Sequence, residues 1–295
     1  MSRIQEILRK AERDGVVQRT RSSAPLAPVA LDEPITPREA RPTLVEPAIV
    51  PPPQVAIPAV APPAPRRVAS VLDNRLVAAA VPNSLAGEQY RLLRTRLSRS
   101  ESGRKAQAII VTSPNKGDGK SLTAANLALT MAQEFQQRIV LVDADLRRPS
   151  VHSLFGIDDT PGLSDVLMGG ATLDDSLLTV GEHRLTVLPA GLVPSHPAEL
   201  LGSAAMRRVL DTLRGRFDRI LIDMPPVAPL ADVAVASALA DGVLMIVRAG
   251  VTPKPAIERA LSGIDSAKVL GLVLNDAGGS RGGYDYEGYA GYVAG

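Results

Sequence analysis

Six short aliphatic runs set the character of this chain: AQAIIVTS (106–113), RIVLVDAD (138–145), RLTVLPAG (184–191), DRILIDMP (218–225), GVLMIVRAG (242–250) and KVLGLVLND (268–276). Each is apolar along nearly its whole length, not at alternate positions. That pattern predicts strands covered on both faces, the condition of a parallel sheet. Helical patterns over 119–136, 203–216, 230–240 and 254–265 separate the runs. The expected fold is α/β: a mostly parallel sheet sandwiched by helices, with ligands at the carboxyl ends of the strands. Only 3% of the residues are aromatic, so Val, Leu, Ile and Ala must fill the core.

Residues 68–276 are expected to hold this domain, and three other segments flank it. Residues 1–15 read as an amphipathic helix with Ile4, Ile7, Leu8 and Ala11 on one face, Ser2 and Gln5 as a capping box, and Gly15 as the stop. It would dock on the main domain, or serve a partner or a membrane surface; Glu6, Glu12 and Asp14 dilute the basic face that anionic lipid prefers. Residues 16–67 read as a Pro-rich disordered linker, with 13 of the 25 prolines between Pro25 and Pro65. Eight of them fall in 46–65, which excludes that apolar span as a transmembrane helix. Residues 277–295 read as a flexible tail holding four of the five tyrosines, Tyr284, Tyr286, Tyr289 and Tyr292, among glycines.

The start of the chain lacks the apolar core of a signal peptide, so a cytoplasmic protein is expected. The absence of cysteine excludes disulfide and thiol chemistry, and the three scattered histidines speak against structural zinc. A net charge of +2 gives no argument for nucleic acid as a partner.

The first run leads into TSPNKGDGKSLTAANLA. Gly117-Asp118-Gly119-Lys120-Ser121 between a strand and a helix is the end of a P-loop, whose backbone N–H groups and helix N-terminus cradle phosphate. Pro114 stands where GxxxxGK[ST] has its first glycine, so the loop is a variant. Residues 114–122 (Pro114, Asn115, Lys116, Gly117, Asp118, Gly119, Lys120, Ser121 and Leu122) are the expected ATP-binding segment. Lys120 would neutralise the β and γ oxygens, and Ser121 would hold Mg²⁺. Asp143 and Asp145 end the second run and Asp223 the fourth, the strand-end position of Walker B carboxylates. One such residue is compatible with a helix cap, as Asp145 alone would be. Three beside a P-loop point to a nucleotide and its metal, because isolated buried carboxylates are costly. Arg248 and Asn275, at later strand ends, are candidate nucleobase contacts.

VLVDADLRRP, together with PGLSDVLMG, LPAGLVPSHPAELL, FDRILIDMPPV, DGVLMIVRAGVT, the E-x-x-R-x-x-R helix in EQYRLLR and the tyrosine-rich end, resembles the bacterial tyrosine kinases of the MinD/ParA branch of P-loop proteins. The resemblance spans residues 85–295. It implies an ATP- and Mg²⁺-dependent tyrosine autokinase of capsular or exopolysaccharide synthesis or export, in the stand-alone form that a transmembrane, co-polymerase-like activator switches on and recruits to the membrane. It implies Asp143 as base, Asp145 and Asp223 around Mg²⁺ with Ser121, and the tail tyrosines as acceptors in trans. It also implies that Glu88, Arg91 and Arg94 join subunits in a homo-oligomeric ring, although the triplet alone fits a solvated face with an internal pair. Arg147 and Arg148 would meet phosphate, a subunit, or a surface carboxylate. From Asn275 to Tyr292 an extended chain reaches about 55–60 Å, enough to enter a neighbouring site. The rival reading is a ParA/MinD-like ATPase that works by nucleotide-switched dimerisation. Asn115, where those ATPases carry a signature lysine, argues against it, while Lys116 and Asp118 replace the kinases' usual Pro and Glu.

Overall fold

A computed structural model describes residues 65–100, 106–134, 137–181, 183–227 and 232–277. The helix expected at 1–15, nearly all of the linker, and the tail with its four tyrosines lie outside the described residues. In chain order the elements are β1 (Arg66–Val68), α1 (Val77–Ala80), α2 (Leu85–Ser100), β2 (Ala108–Thr112), α3 (Lys120–Ala132), β3 (Ile139–Asp143), α4 (Val151–Phe155), α5 (Leu163–Leu167), α6 (Leu173–Ser176), β4 (Leu178–Val180), β5 (Leu185–Leu188), α7 (Pro197–Leu201), α8 (Ala204–Arg216), β6 (Arg219–Asp223), α9 (Asp232–Ser237), β7 (Gly242–Arg248), α10 (Lys254–Ser262) and β8 (Val269–Asn275).

The strands form one sheet in the order β1-β4-β5-β3-β6-β2-β7-β8. From β5 to β8 all neighbours are parallel; β4 runs antiparallel to β5, and β1 pairs parallel with β4. All six aliphatic runs are strands. The sheet also begins earlier than expected, at Arg66 within the segment read as linker. Arg66 and Arg67 are exposed there, because an edge strand pairs through its backbone and needs no apolar side chains.

Successive residues of the central strands feed two separate cores. Ala108, Ile110, Val140, Val142, Ile220 and Ile222 face Leu163, Val209, Leu213 and Ala260. Ile109, Val111, Leu141 and Leu221 face Leu127, Ala128, Met131 and Phe155. Small residues let α3 settle deep on the second face: every position from Thr123 to Ala132 is buried. Helix α8 shows the commoner amphipathic design. Ser203 Oγ caps it by accepting the Met206 N–H at 3.2 Å, and Met206, Val209, Leu210 and Leu213 form its buried stripe.

Asp241 ties three of these elements together. Its carboxylate accepts the Gln107 and Ala108 N–H groups at 2.9 and 2.8 Å and the Arg214 guanidinium at 2.8 and 2.9 Å. Burial pushes the carboxyl up, but the Arg214 pairing and the two N–H groups outweigh it and hold the group below the ordinary range. A depressed acid contributes stability above its unfolded pKa and loses it as pH falls through the folded one. Asp241→Ala is therefore expected to cost about 2–3 kcal/mol at neutral pH, lowering Tm by roughly 5–10 °C. The deficit should shrink below about pH 4 in calorimetry.

The carboxyl ends of β2, β3, β6 and β7 meet at one edge. Asp143 and Asp223 are direct register partners there, and Val111 stands beside Asp223. No helix among the described residues is long and apolar enough to cross a membrane.

Candidate active site

The P-loop leaves β2 at Ser113 and returns into α3 at Lys120. Gly117 and Gly119 both have left-handed backbone, with φ of 87° and 92°. Asp118 fastens the turn. One carboxylate oxygen accepts the Asn115 N–H at 2.9 Å, the other the Thr252 hydroxyl at 2.8 Å, and the Asn275 amide donates to the Asp118 carbonyl at 2.9 Å. Asp118 is only 2% exposed, and both its carboxylate oxygens are engaged in these loop contacts. Asn275 likewise holds the loop. The Arg248 guanidinium pairs with Asp276 at 2.9 Å, and neither Arg248 nor Asn275 lines the cleft beside Lys120.

Lys120 stands at the centre of a compact charge cluster. Its Nζ lies 2.8 Å from Asp145 Oδ2, 3.4 Å from both Asp223 oxygens and 3.0 Å from Ser121 Oγ. Burial would push the ammonium down, but Asp223 and Asp145 outweigh it and hold the lysine charged. Asp143 lies behind, fully buried. Its Oδ1 accepts the Asp145 N–H at 3.1 Å, and its Oδ2 accepts the Ser150 and Val151 N–H groups at 3.1 and 3.0 Å. Burial first, and the Asp223 charge second, push the Asp143 carboxyl up to about 7. Burial also raises Asp223, partly offset by Lys120 and Ser121.

Three carboxylates around one ammonium leave negative charge to be matched. Ser121 Oγ, Asp145 and Asp223 supply hard oxygen donors of the kind Mg²⁺ takes, and the residues fit that ion. Among the described residues no group of three His, Cys, Asp or Glu side chains could hold a metal by itself. The cleft in front of the cluster measures about 500 Å³, a volume suited to a nucleotide. Gly117, Gly119, Lys120, Ser121 and Asp145 line it, together with Arg75 and Arg148. Arg147, also at the cleft, is clamped by Asp232 at 2.8 and 3.3 Å, a fully buried carboxylate at the start of α9.

Comparison with known proteins places the chain among P-loop proteins and, within them, beside tyrosine kinases. Residues 104–278 match the ParA family, described as NUBPL iron-transfer P-loop NTPase. Tyrosine-protein kinase YwqD of Bacillus subtilis (strain 168) is 34% identical over 208 residues, covering 70% of this chain and 87% of YwqD. The chain belongs to the bacterial tyrosine-protein kinases. The kinase domain of Escherichia coli tyrosine kinase ETK superposes with a TM-score of 0.64 at 28% identity, covering 72% of this chain and 84% of that one. The putative tyrosine-protein kinase EpsB of Ralstonia nicotianae is 35% identical over 202 residues, which are 68% of this kinase but only 27% of EpsB.

The triplet expected at a subunit contact makes contacts of its own within this kinase. Glu88 and Arg91 pair within α2, whereas Arg94 turns inward and donates to the Thr130 carbonyl at 3.0 Å, joining α2 to the last turns of α3. Arg94 is thus engaged inside the subunit. The fifth tyrosine, Tyr90, lies half-buried on α2, packed against the α3-side core, and burial pushes its phenol up. Sequence reasoning missed Arg75, Thr252 and Asp232. Arg75 lies outside every motif, and the other two act by contacts between residues far apart in the chain.

Proposed function

We propose that this kinase transfers the γ-phosphoryl group of Mg–ATP to Tyr284, Tyr286, Tyr289 and Tyr292 of a neighbouring copy. The observation that carries the reading is the Lys120 ammonium held between Asp145, Asp223 and Ser121 at the mouth of a P-loop. The loop's N–H groups and the start of α3 hold the phosphates, and Lys120 steadies charge on the β and γ oxygens. Bound with the nucleotide, Mg²⁺ would neutralise phosphate charge from a site made by Ser121, Asp145 and Asp223.

A tyrosine hydroxyl with a pKa near 10 needs a base at neutral pH. Asp143 fills that role in the proposal. A carboxylate has about four lone-pair sites, and three are occupied here by backbone N–H groups, leaving one on Oδ1. With a pKa of about 7 it is matched to the task. A new O–P bond forms at the phenol oxygen as the bond to the ADP oxygen breaks, and the phenol proton passes to Asp143. Tyr90 is a poor acceptor because its phenol is half-buried, which leaves the tail cluster.

The wider role rests on the resemblance: control of capsular or exopolysaccharide synthesis or export. The kinase would act as a ring of copies at the inner face of the membrane, switched on by a transmembrane co-polymerase-like partner. EpsB, where the matched region is a minor part of a longer chain, suits a kinase unit that works beside a second functional part. Exposed Glu88 and half-buried Arg91 on α2 remain the proposed contribution to subunit contact.

The test is phosphotyrosine detection on purified full-length protein with Mg–ATP and its activator. Changing all four tail tyrosines to Phe is expected to remove at least nine-tenths of the signal, or roughly tenfold, with nucleotide affinity unchanged. An undiminished signal would show that the tail is not the acceptor.

A further inference from the structure

Some of the cations at the cleft are left over by the nucleotide chemistry. Lys120 is engaged with Asp145 and Asp223, and Arg147 with buried Asp232. Arg148 and Arg75 line the same cleft, and both are exposed. The Arg148 backbone N–H donates to Asp145 Oδ1 at 3.1 Å, so its side chain springs from beside the reaction centre. Its guanidinium has no ion pair among the described residues. Among the described residues Arg75 pairs with Asp73, two residues away, through Nε and a terminal nitrogen at 3.0 and 2.8 Å; the guanidinium is itself exposed, so its remaining N–H groups are open to a second carboxylate.

The fold takes trouble to place Arg75. The Asp73 N–H donates to the Leu154 carbonyl at 3.0 Å, Asn126 Nδ2 donates to the Arg75 carbonyl at 3.2 Å, and neighbouring Leu76 is fully buried. A side chain at Gly156 would strike the Val71 carbonyl, so the segment lies directly against the end of α4. Residues 71–76 are thereby fastened across α3 and α4.

One segment of the chain has the complementary chemistry. In Tyr284-Asp285-Tyr286-Glu287-Gly288-Tyr289 carboxylates alternate with tyrosines. We propose that Arg75 and Arg148 form a docking rim for Asp285 and Glu287 of a second copy's tail, which holds the adjoining tyrosines at the cleft. The inference rests on the kinase reading and specifies how that kinase selects its acceptor. Tyr286 has a carboxylate on each side and is favoured, whereas Tyr292, five residues beyond Glu287, draws least on the rim.

The experiment titrates two labelled peptides against the full-length chain with Mg–ADP, read by fluorescence anisotropy. One peptide spans residues 281–295; the other is the same with Asp285→Asn and Glu287→Gln. Wild type is expected to bind the acidic peptide about tenfold more tightly. Arg75→Gln and Arg148→Gln should each weaken the acidic peptide by about threefold, and together by about tenfold, leaving the neutral peptide's Kd unchanged. The difference should fade at about 0.5 M salt, and ADP affinity is measured for each variant so that peptide binding is compared at equal nucleotide occupancy. Equal binding of the two peptides, no binding of the acidic one, or a loss of ADP affinity in place of peptide affinity would overturn the rim. A peptide that binds with this charge dependence yet gains no phosphate from Mg–ATP would instead keep the rim and remove the kinase reading. A peptide phosphorylated by wild type and both variants with one KM would remove the rim alone.

Discussion

Lys120→Met is expected to lower tyrosine phosphorylation at least about a hundredfold, because it removes a preplaced positive charge from the β and γ oxygens. The protein should stay folded, with a stability cost that depends on pH. Lys120 now offsets the charges of Asp145, Asp223 and Asp143. Without it, the folded-state pKa values of Asp143 and Asp223, already raised by burial, rise further. An acid whose folded pKa lies above its unfolded value binds the proton more tightly when folded, so stability falls as pH climbs between the two. The Tm deficit of Lys120→Met should therefore be small near pH 5 and grow through pH 7, the region of the Asp143 carboxyl. Calorimetry across pH checks the second expectation and phosphotyrosine detection the first. Undiminished phosphorylation would refute the assignment of Lys120, and a deficit that shrinks with rising pH would refute the charge accounting.

Gly119→Ala should do comparable damage by a different route. The residue has φ of 92°, where an L side chain costs about 1–2 kcal/mol. Its Cβ would also run into the Asn275 amide, the group that holds the Asp118 carbonyl. Strain and the broken latch act on the same loop. Nucleotide affinity is expected to fall at least about tenfold, roughly the effect of 1.4 kcal/mol. Gly117→Ala is the internal comparison: φ is 87°, but nothing lies within 4 Å of the added carbon, so only the backbone strain applies. Calorimetric titration with ADP should rank wild type first, Gly117→Ala second and Gly119→Ala last. The reverse order of the two variants would show that the Asn275 latch does not matter to the loop.

Five strands, β2, β3, β5, β6 and β7, could be read from the chain because a strand covered on both faces must be apolar throughout. The sixth, β8, is as apolar but lies at the sheet edge with Leu272 and Leu274 more than half exposed, so the covering expected for it is not found. Strands β1 and β4 could not. Each has three residues, and Arg66–Val68 joins the sheet edge through backbone groups that carry no side-chain signature. The site was legible where local geometry fixes chemistry: glycines that turn a phosphate loop, and carboxylates at strand ends. It was illegible where a side chain is used at long range. Asp118 reads as a loop carboxylate near phosphate, yet it is consumed by Thr252, 134 positions away. Arg94 reads as part of a surface stripe but is drawn to Thr130, 36 positions on. Arg75 precedes every recognisable motif, and only its fastening to α3 and α4 brings it to the cleft.

The Asn275 amide has a practical bearing on where the tail can be cut. The last residue of β8 braces the phosphate loop, and the acceptor segment follows within a few residues. A deletion starting at 277 takes away acceptors and leaves the brace in place. One starting at 275 takes both, so its inactivity would say nothing about the tyrosines. The boundary between a catalyst without acceptor and a damaged catalyst is thus two residues wide, and truncation experiments on the tail should be placed on its downstream side.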